Sequence, residues 1–497
     1  MNSNYFSIVF SFIISVVLMG CGDDSDSKTP AAVAPKVVST TPAAGATDVT
    51  AGAVNVTVTY DQTITFRSSK DNILISGGTI SSVRAQGKDL FIVANCPEGK
   101  MTVSITIPEG WVMSTQGVSA PTFTLTFTTV MASWADPDDQ SNFETAAQAV
   151  LHMTPGWNLG NTLDSHGAWI GDHKATSAYE TAWGQPVTDA HLMKAVREKG
   201  FKGMRIPVTW YQHMDAEGRV DKDWMDRVQQ VVDYVMDAGL YCLLNVHHDT
   251  GAASDEHTPW VRASQSSYSQ NRERFEYLWR QIAERFADYD EHLLFEGYNE
   301  MLDDASQWNA PKLAADLQYV NSYAQSFVDA VRATGGKNLR RNLVVNTYAA
   351  AQGSDVLKPF VVPSDPCGSQ SHLAVQMHSY NPWNWVKTYN KKWTAECRRD
   401  LEQMFARLNT YVISKGYPVI IGEYATNGEG EMTINASSTV EEKAEAGRHA
   451  ADMNRLCRRY AAASFYWMSL IDGRDRTEAT FKWSMEQVAD SIINVYK

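Results

Sequence analysis

The spacing of apolar positions changes twice along this chain and divides it into parts. Residues 5–19, YFSIVFSFIISVVLM, are apolar almost throughout yet too short for a comfortable membrane span. Residues 22–35, rich in Asp, Ser, Pro and Ala, read as a tether. From Val37 to Val130 apolar and polar residues alternate, as in Val54–Tyr60 (VNVTVTY), Met101–Ile107 (MTVSITI) and Pro121–Phe127 (PTFTLTF). Period two with intervening turns such as Pro108-Glu109-Gly110 predicts half-buried strands, and five to seven of them predict an all-β sandwich over residues 36–130. A joint at 131–139 follows, and then the period lengthens. Helical spacing appears in 188–199, 221–238, 271–288, 311–333, 396–414 and 440–460. Between these segments lie runs apolar at every position, as strands buried on both faces should be. Their polar C-terminal ends fall at Asn161, Arg205, His247, Glu300, Asn346, His378, Glu423 and Trp467, at intervals of 44, 42, 53, 46, 32, 45 and 44 residues. Eight βα repeats predict an α/β fold, a (β/α)8 TIM barrel over residues 140–497, with those eight positions around its mouth.

Two of the eight are glutamates, Glu300 in LLFEGYNE and Glu423 in YPVIIGEYA, 123 residues or about three repeats apart. Fourth and seventh strand ends face one another across a barrel, and a carboxylate there adds nothing to a core. A converging pair of carboxylates is what glycosidic bond cleavage requires, one attacking the anomeric carbon and one protonating the leaving oxygen. Arg205 is placed to hold Glu423 ionised through charge-assisted hydrogen bonds. That negative charge then favours a protonated Glu300. Asn299 offers an amide donor to a sugar hydroxyl.

Composition narrows the substrate. The formal net charge of −14 argues against nucleic acid or an anionic membrane surface as partner. Fifteen tryptophans are present, and only Trp111 precedes residue 131, so the indoles belong to the second domain. Indole faces stack on sugar rings. Trp183, Trp260, Trp383 and Trp385, in polar or Pro-containing sequence, are expected to line subsites. His247-His248-Asp249 could suggest metal ligands, but adjacent strand residues point to opposite faces and no zinc-like spacing occurs. No metal or cofactor is expected, and a monomer is.

Leu18-Met19-Gly20-Cys21 resembles a bacterial lipobox, in which cleavage precedes an acylated Cys, here Cys21 after a 1–20 leader. No Lys or Arg precedes Lys28, a departure from the usual basic leader. The acidic residues after Cys21 resemble the export tag of surface lipoproteins. An outer-membrane lipoprotein exposed at the cell surface is therefore expected. Cys242 and Cys457 read as buried small hydrophobes, whereas Cys367 and Cys397 flank one strand and could bridge.

Several segments together resemble glycoside hydrolase family 5, a group of retaining (β/α)8 enzymes, over essentially all of 140–497. They are Gly156–Asp164 (GWNLGNTLD), Thr181–Gly184 (TAWG), Arg205–Trp210 (RIPVTW), Asn245–His248 (NVHH), Asn299-Glu300, His378-Ser379-Tyr380, Ile421–Tyr424 (IGEY) and Trp467. The resemblance implies Glu300 as acid/base and Glu423 as nucleophile, with Arg205, Asn299, His378 and Tyr380 in support and Tyr380 orienting Glu423. It implies substrate contacts from Asn161, Trp183, His247, His248, Trp383 and Trp467, the last beneath the sugar at the cleavage site. Met301 stands where many relatives have Pro. The GWNLGNTLD and ETAWG strings look like the endo-β-1,4-glucanase branch, which implies β-glucan or xyloglucan as the polysaccharide partner. A β-mannanase, a xylanase or a non-catalytic glycan-binding lipoprotein are the alternatives. The opening Ser39–Val49 resembles bacterial Ig-like modules, which implies a spacer.

Overall fold

The computed structural model describes residues 32–50, 52–67, 70–96, 101–130, 143–367, 370–426 and 433–497. The apolar leader, Cys21 and the joint at 131–139 lie outside the described residues. Among the described residues no helix is long and apolar enough to cross a membrane.

Among the described residues the first domain contains ten strands: β1 (Val37–Thr41), β2 (Val49–Thr50), β3 (Gly52–Tyr60), β4 (Ile64–Phe66), β5 (Leu74–Ser76), β6 (Thr79–Gln86), β7 (Asp89–Cys96), β8 (Thr102–Ile107), β9 (Val112–Ser114) and β10 (Phe123–Val130). They form sheets in the orders β1-β3-β7-β6 and β2-β10-β8-β5, with β4-β9 as a two-stranded ribbon. The long alternating runs behave as their period demands. Val56, Val58, Val103, Ile105, Leu125 and Phe127 turn into one shared core, and the intervening Thr and Ser residues face out. Ten strands rather than five to seven arise because β2, β4, β5 and β9 have only two or three residues, too few for a period to show. Trp111 is 2% exposed and packs on Phe66 at 5.2 Å, so it is core and no sugar platform.

The second domain is a closed parallel barrel of β11 (Gly156–Asn158), β12 (Gly203–Ile206), β13 (Tyr241–Asn245), β14 (Leu293–Glu296), β15 (Leu343–Asn346), β16 (Leu373–Ser379), β17 (Val419–Tyr424) and β18 (Ala463–Tyr466). Every residue of these strands is buried except Tyr241, as their largely apolar character requires. The barrel closes where Gly156 pairs with Phe465. Amphipathic helices surround it. Lys222–Asp237, for example, buries Trp224, Met225, Val228, Val231, Val232 and Val235, one stripe at helical spacing. The helices of 265–285, 395–411 and 440–460 begin at Ser264, Thr394 and Thr439, each accepting a first-turn N–H on its side-chain oxygen.

One helix stands outside this rhythm. α1 (Ala146–His152) lies under the N-terminal end of the strands, where Ala146, Ala149, Val150 and Met153 meet the inward Leu243, Leu294, Val344, Ala374, Ile420 and Phe465. Glu144 fixes its entry. Its carboxylate accepts from the Tyr241 hydroxyl (2.6 Å) and its carbonyl from Asn342 Nδ2 (3.0 Å), both at strand beginnings. The barrel floor is thus sealed, and the opposite, C-terminal end is left open.

The eight predicted positions distribute unevenly. Arg205, Asn346, His378 and Glu423 occupy the last or penultimate residue of β12, β15, β16 and β17. Trp467 lies one residue past β18, His247 two past β13, Asn161 three past β11 and Glu300 four past β14. The tip of β14 is Glu296. Cys367 and Cys397 are free thiols, the first half-buried before β16 and the second buried in a helix, so the bridge considered for them is absent. Cys242 and Cys457 are buried, as expected.

Candidate active site

Arg205 organises the barrel mouth. It is fully buried, and all five of its N–H groups are engaged. Nε donates to Glu296 Oε2 (2.7 Å), and Nη2 donates to Glu296 Oε1 (2.7 Å) and Asn299 Oδ1 (2.8 Å). Nη1 donates to Glu423 Oε1 (2.8 Å) and Asn158 Oδ1 (3.0 Å). Burial alone opposes the charge, but Glu296 and Glu423 outweigh it and raise the guanidinium pKa. Because the Asn299 oxygen accepts from Arg205, its amide Nδ2 is left as the donor end of the side chain.

Glu423 is brought inward by an irregularity in β17. Its register against β16 slips between Met377 and His378, and against β18 between Ile421 and Tyr424, so Gly422 is the extra residue of a bulge. Only glycine fits there, since a Cβ would lie 2.3 Å from the buried Gln376 carboxamide. The bulge lets Glu423 face the mouth while Tyr424 enters the core. Tyr380 then donates its hydroxyl to Glu423 Oε2 (2.8 Å). Burial, and next the Glu423 charge, push the Tyr380 pKa far up, so the phenol keeps the proton it donates.

His378 connects the two glutamates. Its Nδ1 lies 2.7 Å from Glu300 Oε1 and 3.5 Å from Glu423 Oε2. Burial would lower its pKa, yet the charges of Glu423 and Glu300 prevail and raise it. One oxygen of each glutamate and the imidazole nitrogen all lie within 4.8 Å of one another. The Glu423 side chain is 6% exposed and that of Glu300 21%, which leaves Glu300 the more open to an incoming ligand.

A wall of rings stands on the other side of Arg205. His247 lies parallel to Trp467 (5.9 Å between centroids, 6° between planes). His248 meets Trp183 at 5.4 Å and His166 at 4.6 Å. Adjacent histidines share this wall because they follow β13 instead of belonging to it. Thr250 N–H donates to the His247 carbonyl, and a turn replaces strand alternation there. Asp164, buried and held by the N–H groups of Asn161 and Thr162, brings a carboxylate oxygen within 4.8 Å of a nitrogen of each histidine. Burial pushes its pKa up to about 6. That trio has metal-ligating residue types, but its hydrogen bonds do not suit an ion. Asn245 accepts Val208 N–H on Oδ1, so its Nδ2 donates to His247 Nδ1 (3.0 Å). The imidazole proton is then on Nε2, which makes that nitrogen a donor and not a ligand.

The sequence profile of the cellulase family, glycosyl hydrolase family 5, matches residues 163–469. The chain belongs to that family. A bacterial Ig-like domain profile matches residues 31–129, in agreement with the first sandwich. Among solved structures, PbGH5A of Prevotella bryantii B14, a glycoside hydrolase family 5 enzyme, is 48% identical, with a TM-score of 0.68 over 71% of this chain and 99% of that one. A variant of it has been solved with a xyloglucan tetradecasaccharide. A GH5-4 broad specificity endoglucanase from an uncultured bacterium is 43% identical, with a TM-score of 0.64 over 71% and 96% of the two chains. Endoglucanase 1 of Ruminococcus albus is 34% identical over 308 residues, 60% of this chain and 69% of that one.

In this family 5 hydrolase the loop tryptophans do not all reach the cleft. Trp385 is 1% exposed in a short helix, packed on Trp393 and His449, and is core. Trp260 donates Nε1–H to Asp249 (2.6 Å) and carries the Arg274 guanidinium 5.0 Å from its ring, so one face is covered. Trp183 joins the ring wall, and Trp383, 63% exposed after the cis Asn381–Pro382 peptide, projects from the loop after β16. Asn161 takes left-handed backbone (φ 61°), which turns the chain over Asp164. Met301 is buried, away from solvent. Sequence reasoning passed over Glu296, Asn158, Asn245 and Asp164 as site residues. Asn158 and Asp164 lie within GWNLGNTLD, Asn245 within NVHH, and Glu296 ends the apolar run LLF, so each had a sequence signal without a role attached to it.

Proposed function

We propose that this glycoside hydrolase is an endo-acting, retaining β-1,4-glucanase with xyloglucan among its substrates, using Glu423 as nucleophile and Glu300 as acid/base. The approach of the two carboxylates to within 4.8 Å carries the reading. Retaining enzymes hold this pair about 5–5.5 Å apart, whereas inverting ones leave about 6.5–9.5 Å for a water. In the first step a Glu423 oxygen bonds to the anomeric carbon as the glycosidic C–O bond breaks, and Glu300 gives its proton to the departing oxygen. Arg205 and Tyr380 hold Glu423 in line. Asn299 Nδ2 and His247 Nε2–H face the sugar hydroxyls, and Trp467 supports the ring. In the second step Glu300 takes a proton from water, the water oxygen bonds to the anomeric carbon, and Glu423 departs. The likeness to PbGH5A across 99% of its length, a variant of which was solved with a xyloglucan tetradecasaccharide, supports xyloglucan as a substrate.

Residues 22–497 assayed on xyloglucan, barley β-glucan, carboxymethyl cellulose, mannan and xylan test this. Xyloglucan is expected to be cut fastest, with an early viscosity drop and the β-anomer appearing first by proton NMR. First appearance of the α-anomer would refute double displacement, and a preference for mannan or xylan would refute the substrate.

We also propose that Cys21 is acylated and fixes the enzyme to the outer membrane, facing outward, with the sandwich as spacer. The lipobox-like Leu18–Cys21 and the acidic run after it support this. Cys21→Ala should move activity from the membrane fraction to the soluble one; activity that stays membrane-bound would contradict the anchor.

A further inference from the structure

Arg205 is one cation between two carboxylates, and only one of them faces the cleft. Glu296 is 0% exposed and takes two of the five guanidinium N–H groups, while Glu423 takes one. Glu296 Oε1 also accepts from Asn245 Nδ2 (3.1 Å) and Asn346 Nδ2 (3.2 Å). Such a residue cannot contact a sugar. A buried carboxylate is costly, so its presence needs an explanation beyond packing.

We propose that Glu296 is a positioning residue that sets the basicity of Glu423 by sharing the charge of Arg205. An arginine facing Glu423 alone would stabilise the carboxylate anion strongly and lower its proton affinity. A carboxylate so stabilised is a weaker nucleophile. With Glu296 engaged at two points, much of the guanidinium charge is already balanced, and Glu423 keeps the electron density it needs. The same two-point grip fixes the guanidinium plane, which presents Nη2 to Asn299 and turns the Asn299 amide to the sugar. Among the described residues, His378, Tyr380, Glu300 and Asp164 are the other charged or titratable groups that interact with Glu423, and none of them hydrogen-bonds Glu296. The proposal rests on Glu423 being the nucleophile.

Its test is the pH dependence of kcat/KM on a xyloglucan oligosaccharide, whose acid limb reports the free-enzyme nucleophile. Glu296→Gln should move that limb down by about one pH unit. It should lower kcat about tenfold, with KM little changed. Glu296→Asp, which keeps the charge on a shorter arm, should restore the limb and recover only part of kcat. Asn346→Ala removes a donor from Glu296, leaves more of its charge on Arg205, and should move the limb up. A purely structural Glu296 would lower the melting temperature and leave the limb in place. A folded Glu296→Gln whose limb stays within about 0.2 unit of the parent overturns the proposal. If Glu296→Gln does not fold, Asn346→Ala decides, and an unmoved or lowered limb overturns it. Failure of the nucleophile assignment would show separately, as activity persisting in Glu423→Ala.

Discussion

Glu423→Ala is expected to lower turnover of xyloglucan by about 10⁵-fold, and that of an aryl β-glucoside substrate by a similar factor. Both fall because the variant has no oxygen to bond to the anomeric carbon, and leaving-group quality cannot compensate. The fold should survive. Arg205 keeps Glu296, Asn158 and Asn299 as partners after the loss, so the guanidinium is not left as an unpaired buried charge. Azide, small enough for the space vacated, should restore part of the rate and leave an α-glycosyl azide. Residual activity within tenfold of the parent, in protein with unchanged circular dichroism, would remove Glu423 from the mechanism.

Glu300→Gln should separate the substrates instead of silencing both. Hydrolysis of xyloglucan needs a proton on a poor leaving oxygen, so its loss should approach 10³-fold. A nitrophenyl glycoside departs without that proton. Its first step should stay fast, giving a burst of nitrophenol followed by slow turnover, because the water of the second step has lost its base. His378, whose Nδ1 meets Glu300 Oε1 in the parent, can still donate to the Gln carbonyl and keep the side chain in place. Equal losses on both substrates, with no burst, would reassign the acid/base.

How much of this was legible in the sequence differs between elements for physical reasons. Strands buried on both faces must be apolar throughout, so the barrel rhythm was plain. Arg205, His378 and Glu423 stand out because a charge at the end of such a run has to meet another charge. Glu300 and Glu296 are harder to separate: beyond β14 the N–H groups of Gly297 and Asn299 still donate to the carbonyls of Val344 and Val246, and the strand end looks four residues later than it is. The bulge at Gly422 leaves no periodic trace, since it adds one residue to a run already apolar on both faces. Trp383 and Trp385 share the same polar neighbourhood in sequence, yet one is exposed and the other is core, a difference set by a turn at Asn384 with φ 61°. Adjacent histidines share a wall only because a turn begins at His247. Period-based reasoning fails wherever the backbone stops being regular, and at this mouth that is where most ligand-facing groups sit.

The sealed floor has a consequence for fixing the enzyme to a support. The chain enters the barrel beneath it, through Glu144 and α1, at the pole opposite the open rim. Whatever is fused or grafted ahead of residue 143 therefore pulls on the molecule from behind. A long polymer can then lie across the rim clear of such an attachment. Immobilisation through the amino end should preserve access to insoluble fibre, whereas attachment through the rim loops would turn the cleft toward the support.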